Sequence, residues 1–318
     1  MDRNLSQEIL DGNTRAAARL MRLIDDRSPT ARDELATLCR HTGDAYILGV
    51  TGNPGSGKST LVNQLVGRFR RAGQTVGCIA VDPTSPFSGG AILGDRVRMQ
   101  EHADDDGVFI RSVATRGHMG GLSRSTPAMV QVLDAMGYDV IIIETVGVGQ
   151  DEVEIIRLAD TSLVVLVPGL GDDIQADKAG LMEIADIFVL NKSDLAGSDR
   201  LKREIRTMLS LHRIADPESG EPSRPPLLST EATDGDGVDE LFDAIADHRT
   251  RLDRQHSPQQ RLVRRTGHLI RAIARTEIES RFDELSHSPQ FGRLVDDVVA
   301  GDVDPYSAAD ELTSWLTD

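Results

Sequence analysis

The chain has 318 residues, 39% hydrophobic and 27% charged, which is enough apolar material for one large domain or two modest ones. Its formal net charge of −16 argues against nucleic-acid partners, whose phosphates would be repelled. No apolar run approaches the roughly 20 residues that span a bilayer, and MDRNLSQEIL lacks a signal peptide's apolar core, so the expectation is a soluble, cytoplasmic protein with no membrane partner.

The two cysteines, Cys39 and Cys78, form no CxxC or Cys/His cluster, which argues against zinc and against a disulfide framework. Lysine occurs only at 58, 178, 192 and 202, and the first three fall inside motifs. The acid-rich, lysine-poor, aromatic-poor composition fits a protein kept soluble in high salt.

Along the chain, residues 4–41 read as mostly helical, with a helix start at Ser28-Pro29. Strands are predicted at Tyr46–Thr51, Val76–Asp82, Val108–Ala114, Val140–Thr145, Leu163–Pro168, Ile187–Asn191 and Leu227–Thr230. Runs such as VIII and LVVLV are apolar on both faces, as in a parallel sheet covered by helices. With helix-like connections between them, these runs predict an α/β, doubly wound domain. The piece DPESGEPSRPP (216–226) reads as a loop before the last strand. A helical pattern runs from Val238 to about Asp283, and a last helix runs from Asp304-Pro305 to near Trp315. The expected organisation is a helical extension (1–43), a P-loop domain (44–248) and a C-terminal helical arm (249–318).

The stretch GVTGNPGSGKST matches GxxxxGK[ST] between a strand and a helical run, the context that motif requires. Glycines let the backbone fold round a phosphate with its N–H groups inward, and the helix start adds positive potential. The candidate loop comprises Gly52, Asn53, Pro54, Gly55, Ser56, Gly57, Lys58, Ser59 and Thr60, with Lys58 on the β- and γ-phosphates and the Ser59 hydroxyl on Mg²⁺. The metal needs a carboxylate from a strand end, and Glu144, Asp82 and Asp95 qualify. Glu144 begins ETVG, similar to the DxxG element of GTPases, where Gly147 would offer an N–H to the γ-phosphate.

Asn191-Lys192-Ser193-Asp194 is an NKxD element after a strand. An aspartate there accepts from N1–H and the exocyclic amine of guanine, whereas adenine offers a donor at neither place. Asp194 therefore selects GTP over ATP, Lys192 stacks along the base, and Asn191 ties neighbouring loops. Ser229, Thr230 and Glu231, after the last strand, are where a backbone N–H could meet guanine O6.

The ordered set GVTGNPGSGKST, VDPTSPFSGGAILGDRVRM, RGHMGGLSR, IIIETVGVGQDE, PGLGDDIQADKAG and NKSDL closely resembles the MeaB/ArgK family. These are GTPases associated with methylmalonyl-CoA mutase, including the MMAA-type proteins. The match is strong over about residues 45–200. The resemblance implies a homodimeric P-loop GTPase of the SIMIBI type whose partner is an adenosylcobalamin-dependent mutase. GTP hydrolysis would gate cofactor delivery and protection. It also implies that 169–180, with Lys178, is a switch, and that Glu in place of Asp at 144 is the family's own pattern.

Catalytic candidates are Lys58, Glu144 and Asp82. Val148 stands where other GTPases carry a water-orienting glutamine, and Gln150, Asp151 or Asp82 could substitute. Arg96, Arg98 and Arg116 are candidates for the charge of an arginine finger. Slow turnover without a partner is the expectation. His118, in RGHMGG, reads as a structural histidine of a Gly-rich loop. The competing reading is an ArgK-like nucleotide-dependent kinase or ATPase linked to amino-acid transport.

Overall fold

Seven runs form one sheet: the five inner ones are buried on both faces and must be covered from both sides, while the two edge strands, Val108–Ala114 and Leu227–Thr230, are mostly half-buried. They are β1 (Tyr46–Thr51), β2 (Val76–Asp82), β3 (Val108–Ala114), β4 (Val140–Glu144), β5 (Thr161–Leu166), β6 (Ile187–Asn191) and β9 (Leu227–Thr230), the last preceded by a two-residue-per-strand hairpin of β7 (Ile214–Ala215) and β8 (Pro222–Ser223). The computed structural model describes residues 4–26, 28–82, 100–102, 104–114, 125–145, 158–169, 185–211, 214–215 and 222–316. The sheet order is β3-β2-β4-β1-β5-β6-β9 and every pair is parallel. This is the expected α/β P-loop architecture, with β1 in the middle.

The period of two in each strand sorts residues between the two faces. Ile47, Ile79, Ile141 and Ile143 face a layer made by α1 (Leu5–Leu10), α2 (Thr14–Asp25), α3 (Pro29–Leu38) and α5 (Thr126–Ala135). Leu48, Val50, Cys78 and Ile142 face α4 (Lys58–Arg71) and α7 (Val238–Gln255). Beyond β5, α6 (Ser198–Leu211) covers Val164 and Phe188 with Leu201, Ile205 and Leu209. Ala16, Ala17, Leu20 and Met21 form the buried stripe of α2, whose cap Asn13 accepts from the N–H groups of Arg15 and Ala16.

A repeated device finishes the N-terminal edge of the sheet. An aspartate precedes β4, β5 and β6, and each accepts a backbone N–H that would otherwise be stranded between strands: Asp139 from Thr75 at 2.7 Å, Asp160 from Ile47 at 2.8 Å, Asp186 from Ser162 at 2.8 Å. Asp134, at the end of α5, accepts from Gly43, Asp44 and Ala45 at 2.8, 3.2 and 3.0 Å and lies 3.3 Å from Arg265. Its side chain is 3% exposed. Asp134→Ala is expected to cost about 3–5 kcal/mol, because three amides and a guanidinium lose one buried acceptor. A urea midpoint that falls at constant m-value checks this; an unchanged midpoint refutes it.

Between β5, β6 and α7 runs a buried chain of polar groups. Tyr46 Oη lies 2.5 Å from Thr161 Oγ1, which lies 2.6 Å from His248 Nδ1, and His248 Nε2 lies 3.5 Å from Asp186. Burial, with help from Arg251, holds the His248 pKa below its ordinary value despite the opposing pull of Asp186 and Asp160. Burial also raises the Tyr46 and Asp186 pKa values. The folded state thus prefers neutral His248, so its contribution is full above the unfolded value near pH 6.5 and is lost as pH falls below it. Urea melts from pH 7.5 to 5.5 should show wild type losing more stability than His248→Gln, by at most about 1.4 kcal/mol per pH unit. Parallel profiles would contradict the assignment.

The helical pattern read across 238–283 is two helices. It breaks at His256-Ser257, where Ser257 and Gln260 cap each other and Pro258 opens α8 (Pro258–Ser286). The helix α9 (Pro289–Ala300) escaped the sequence reading; α10 (Pro305–Ser314) starts on the side-chain cap of Asp304. The described chain divides into two compact units, Met1–Arg265 and Thr266–Asp318. In the second, Leu294, Ala308 and Leu312 form a small core with Phe291 and Trp315. Ile270, Ile273 and Ile278 of that unit stay exposed.

Candidate functional site

At the C-terminal end of β1 the chain turns through Gly52, Gly55 and Gly57, all at positive φ, and enters α4 at Lys58. Two of these glycines are required by close approach. A Cβ on Gly52 would sit 2.1 Å from the Val165 carbonyl oxygen, and one on Gly57 would sit 2.4 Å from Asn191 Nδ2. Lys58, 6% exposed, donates from Nζ to the carbonyls of Gly52 at 2.5 Å and Asn53 at 3.0 Å, so its ammonium lies across the mouth of the loop. The first N–H groups of α4 have no intrahelical acceptor, as at any helix start. The Ser56 hydroxyl is fully buried and has no hydrogen-bond partner among the described residues. This donor-rich, glycine-lined cradle fits a phosphate chain.

Beside it, Ser59 Oγ donates to Glu144 Oε1 at 2.6 Å, and both side chains are buried. The pairing of β1 with β4, Val50 opposite Glu144, brings the two together. A second contact locks this junction: Thr51 and Thr145 hydroxyls meet at 2.9 Å while Thr145 N–H donates to the Val50 carbonyl at 3.0 Å. A hydroxyl and a carboxylate are hard oxygen donors of the kind Mg²⁺ takes. Among the described residues no three His, Cys, Asp or Glu side chains gather to hold a metal on their own.

Two strands away, β6 delivers Asn191. Its Nδ2 donates to the Ser56 carbonyl at 2.8 Å, and its Oδ1 accepts from Thr230 Oγ1 and Ala232 N–H, both at 3.1 Å. One buried amide therefore ties the phosphate loop to the loop after β9. Lys192 has φ 55°, the left-handed region a non-glycine residue rarely occupies, and its Nζ reaches the Gly55 carbonyl at 2.9 Å. Ser193 N–H donates to the Thr230 carbonyl at 3.1 Å. Asp194 and Glu231 are close enough to repel, and the Glu231 pKa is raised first by its hydrogen bond with Asp234, then by burial and by Asp194. Gly52–Thr60, Glu144, Asn191–Asp194 and Ser229–Glu231 thus converge on one edge of the sheet.

Asp82 is the last residue of β2, paired with Ala114; its side chain lies outside the described residues. Asp95, Gly147, Val148, Gln150, Asp151, Arg96, Arg98, Arg116, His118 and Lys178 also lie outside them. Lys202, the one lysine that fell in no motif, donates from α6 to Ser229 Oγ at 2.9 Å. The scarcity of lysine was the available signal. The Thr51–Thr145 contact had none, since it joins residues 94 apart.

The sequence profile of the family described as methylmalonyl Co-A mutase-associated GTPase MeaB matches residues 17–287. A candidate GTPase of Pyrococcus abyssi (strain GE5 / Orsay) is 47% identical over 308 residues, covering 97% of this chain and 94% of that protein. The GTPase ArgK of Escherichia coli (strain K12) is 37% identical over 261 residues, covering 80% of this chain and 78% of its own. Among solved structures, the LAO/AO transport system kinase superposes with a TM-score of 0.75 at 27% identity, covering 99% of this chain and 97% of the other. Among the described residues, no helix is long and apolar enough to cross a membrane.

Proposed function

The chain belongs to the methylmalonyl-CoA mutase-associated GTPase MeaB family, and from that premise we propose that it gates the loading and protection of the cofactor of an adenosylcobalamin-dependent methylmalonyl-CoA mutase. As a member it is a GTPase and binds guanine nucleotide. The observation that carries the reading is the family match over 17–287, whose name ties these GTPases to the mutase, together with the convergence of the two nucleotide motifs through Asn191.

In this reading the Lys58 ammonium leaves the carbonyls of Gly52 and Asn53 for the β- and γ-phosphates, and the amides of Gly55–Thr60 hold the same oxygens. Asp194 accepts from the two guanine donors while Lys192 lies along the base. Ser59 and Glu144 would hold Mg²⁺, with Asp82 and Asp95 as further candidates, and a bound ion would supply positive charge against the charge that develops on the phosphate oxygens. Water attacks the γ-phosphorus in line, the bond to the bridging oxygen breaks, and GDP and phosphate result. Gly147 senses loss of the γ-phosphate. With Val148 where a glutamine would orient water, turnover by the protein alone is slow.

We place the chain as a homodimer. What supports this is that Ile270, Ile273 and Ile278 are 57–61% exposed in the second unit, apolar side chains that a partner copy would cover. The protein would work in the cytoplasm.

The test is capture of the partner from native cells followed by GTP turnover with and without it. Retention of a cobalamin-dependent mutase that changes turnover severalfold supports the proposal; a mutase that neither binds nor alters hydrolysis overturns it. The likeness to the LAO/AO transport system kinase favours a second reading, transfer of the γ-phosphate to protein. With γ-labelled GTP, label in solution supports hydrolysis and label on protein supports the kinase.

A further inference from the structure

At the N-terminal edge of the sheet, away from the nucleotide loops, lies a cavity of about 250 Å³ between the residues before β5, the end of α7 and the first turns of α8. Its wall carries Arg261, Arg264 and Arg265, and one carboxylate, Asp160. Positions i, i+3 and i+4 share one face of a helix, so α8 presents the three guanidiniums together. Two already have acid partners: Arg265 lies 3.3 Å from Asp134, and Arg261 pairs with Asp253 and lies 3.9 Å from Asp160. Arg264 has no acidic partner within salt-bridge distance among the described residues. Asp160 accepts the Ile47 amide at 2.8 Å, and burial raises its pKa against the pull of that amide and of Arg265, Arg261 and Arg249. The remaining wall is apolar at Leu158, Ala159 and Leu252 and polar at His256 and Gln260. In a chain of net charge −16, three guanidiniums gathered on one concave wall stand out, although Asp134, Asp253 and Asp160 pair with two of them and Asp186 feels the charge of Arg264.

We propose that this cavity binds a small organic anion, its carboxylate or phosphate head on Arg264 and Arg261 and a short aliphatic body against Leu158 and Leu252. Guanidiniums hold planar or tetrahedral oxyanions through paired N–H groups. The volume is below the roughly 300–1,000 Å³ usual for drug-sized ligands, so the body is a few carbons long. This site does not depend on the proposed mutase role or on the assignment of the nucleotide residues.

The full chain is first saturated with GDP, so that no probe reports on the phosphate loop. It is then titrated calorimetrically with butyrate, hexanoate and inorganic phosphate at constant ionic strength. One saturable site per chain for a carboxylate is expected, with hexanoate tighter than phosphate. Arg264→Ala should weaken it at least fivefold, and Gln260→Glu should do the same by placing a carboxylate in the wall. Both positions are exposed, and glutamate at 260 keeps the cap on Ser257, so both variants should fold with unchanged melting temperature. Absence of heat from all three probes overturns the proposal, as does equal affinity in wild type and both variants. Binding of phosphate alone overturns the aliphatic part of the assignment.

Discussion

Asp194→Asn is expected to weaken GTP binding by about 10²–10⁴-fold and to shift preference to xanthosine triphosphate. The aspartate would receive two hydrogen bonds, from guanine N1–H and the exocyclic amine, and bonds to a charged acceptor contribute about 1.5–3 kcal/mol each. Asparagine turns one acceptor into an N–H donor that faces the exocyclic amine. Xanthine carries a carbonyl at that place, accepts from the new donor, and keeps N1–H for the remaining oxygen. The swap should leave the scaffold intact. Asp194 is exposed, whereas the ties between the loops run through Asn191, Lys192 and Ser193. Competition titration of the two nucleotides reads the result directly. Unchanged preference for GTP would remove Asp194 from base recognition.

Glu144→Gln should lower GTP hydrolysis by about 10²–10³-fold and the apparent affinity for Mg²⁺ by about 10–100-fold. Glutamine retains the oxygen that accepts from Ser59 at 2.6 Å, and it has nearly the same volume at a buried position. What it loses is the negative charge in the hard-donor pair. The variant should therefore still bind GDP and fold normally, which separates a metal role from a structural one. Normal Mg²⁺ dependence of turnover in the variant would assign the metal to other carboxylates, Asp82 or Asp95 first.

Several features could be read from residue order because a local rule dictated them. A strand apolar on both faces announces a covered parallel sheet, and five of the seven strand boundaries agree with the structure to the residue. The strand read as Leu163–Pro168 begins two residues earlier, at Thr161, because the aspartates before β5 and β6 anchor this edge through Ile47 and Ser162. That pattern, Asp ahead of a strand, is visible three times in the sequence, but its meaning depends on which neighbour's amide lies beside it. The break at His256-Ser257 was missed because apolar spacing continues across it, whereas the cap is a local hydrogen-bond exchange between Ser257 and Gln260. The segment 216–226, read as a loop, holds at Pro222–Ser223 a strand too short to carry any periodicity.

By itself the sequence determined the doubly wound fold and the family and carried the GxxxxGK[ST] and NKxD patterns, since each rests on residue types at fixed short spacings: glycines for turns, a lysine and a hydroxyl at the helix start, an aspartate three residues after an asparagine. Tertiary structure alone decided how those pieces meet. Parallel pairing of β1 with β4 brings Ser59 to Glu144 across 85 positions and Thr51 to Thr145 across 94, and Asn191 reaches Ser56 across 135. Such contacts follow from the order of strands in the sheet, and no local spacing encodes them. The same holds for the arginine-lined cavity, which exists because α8 returns its first turns to the residues that precede β5.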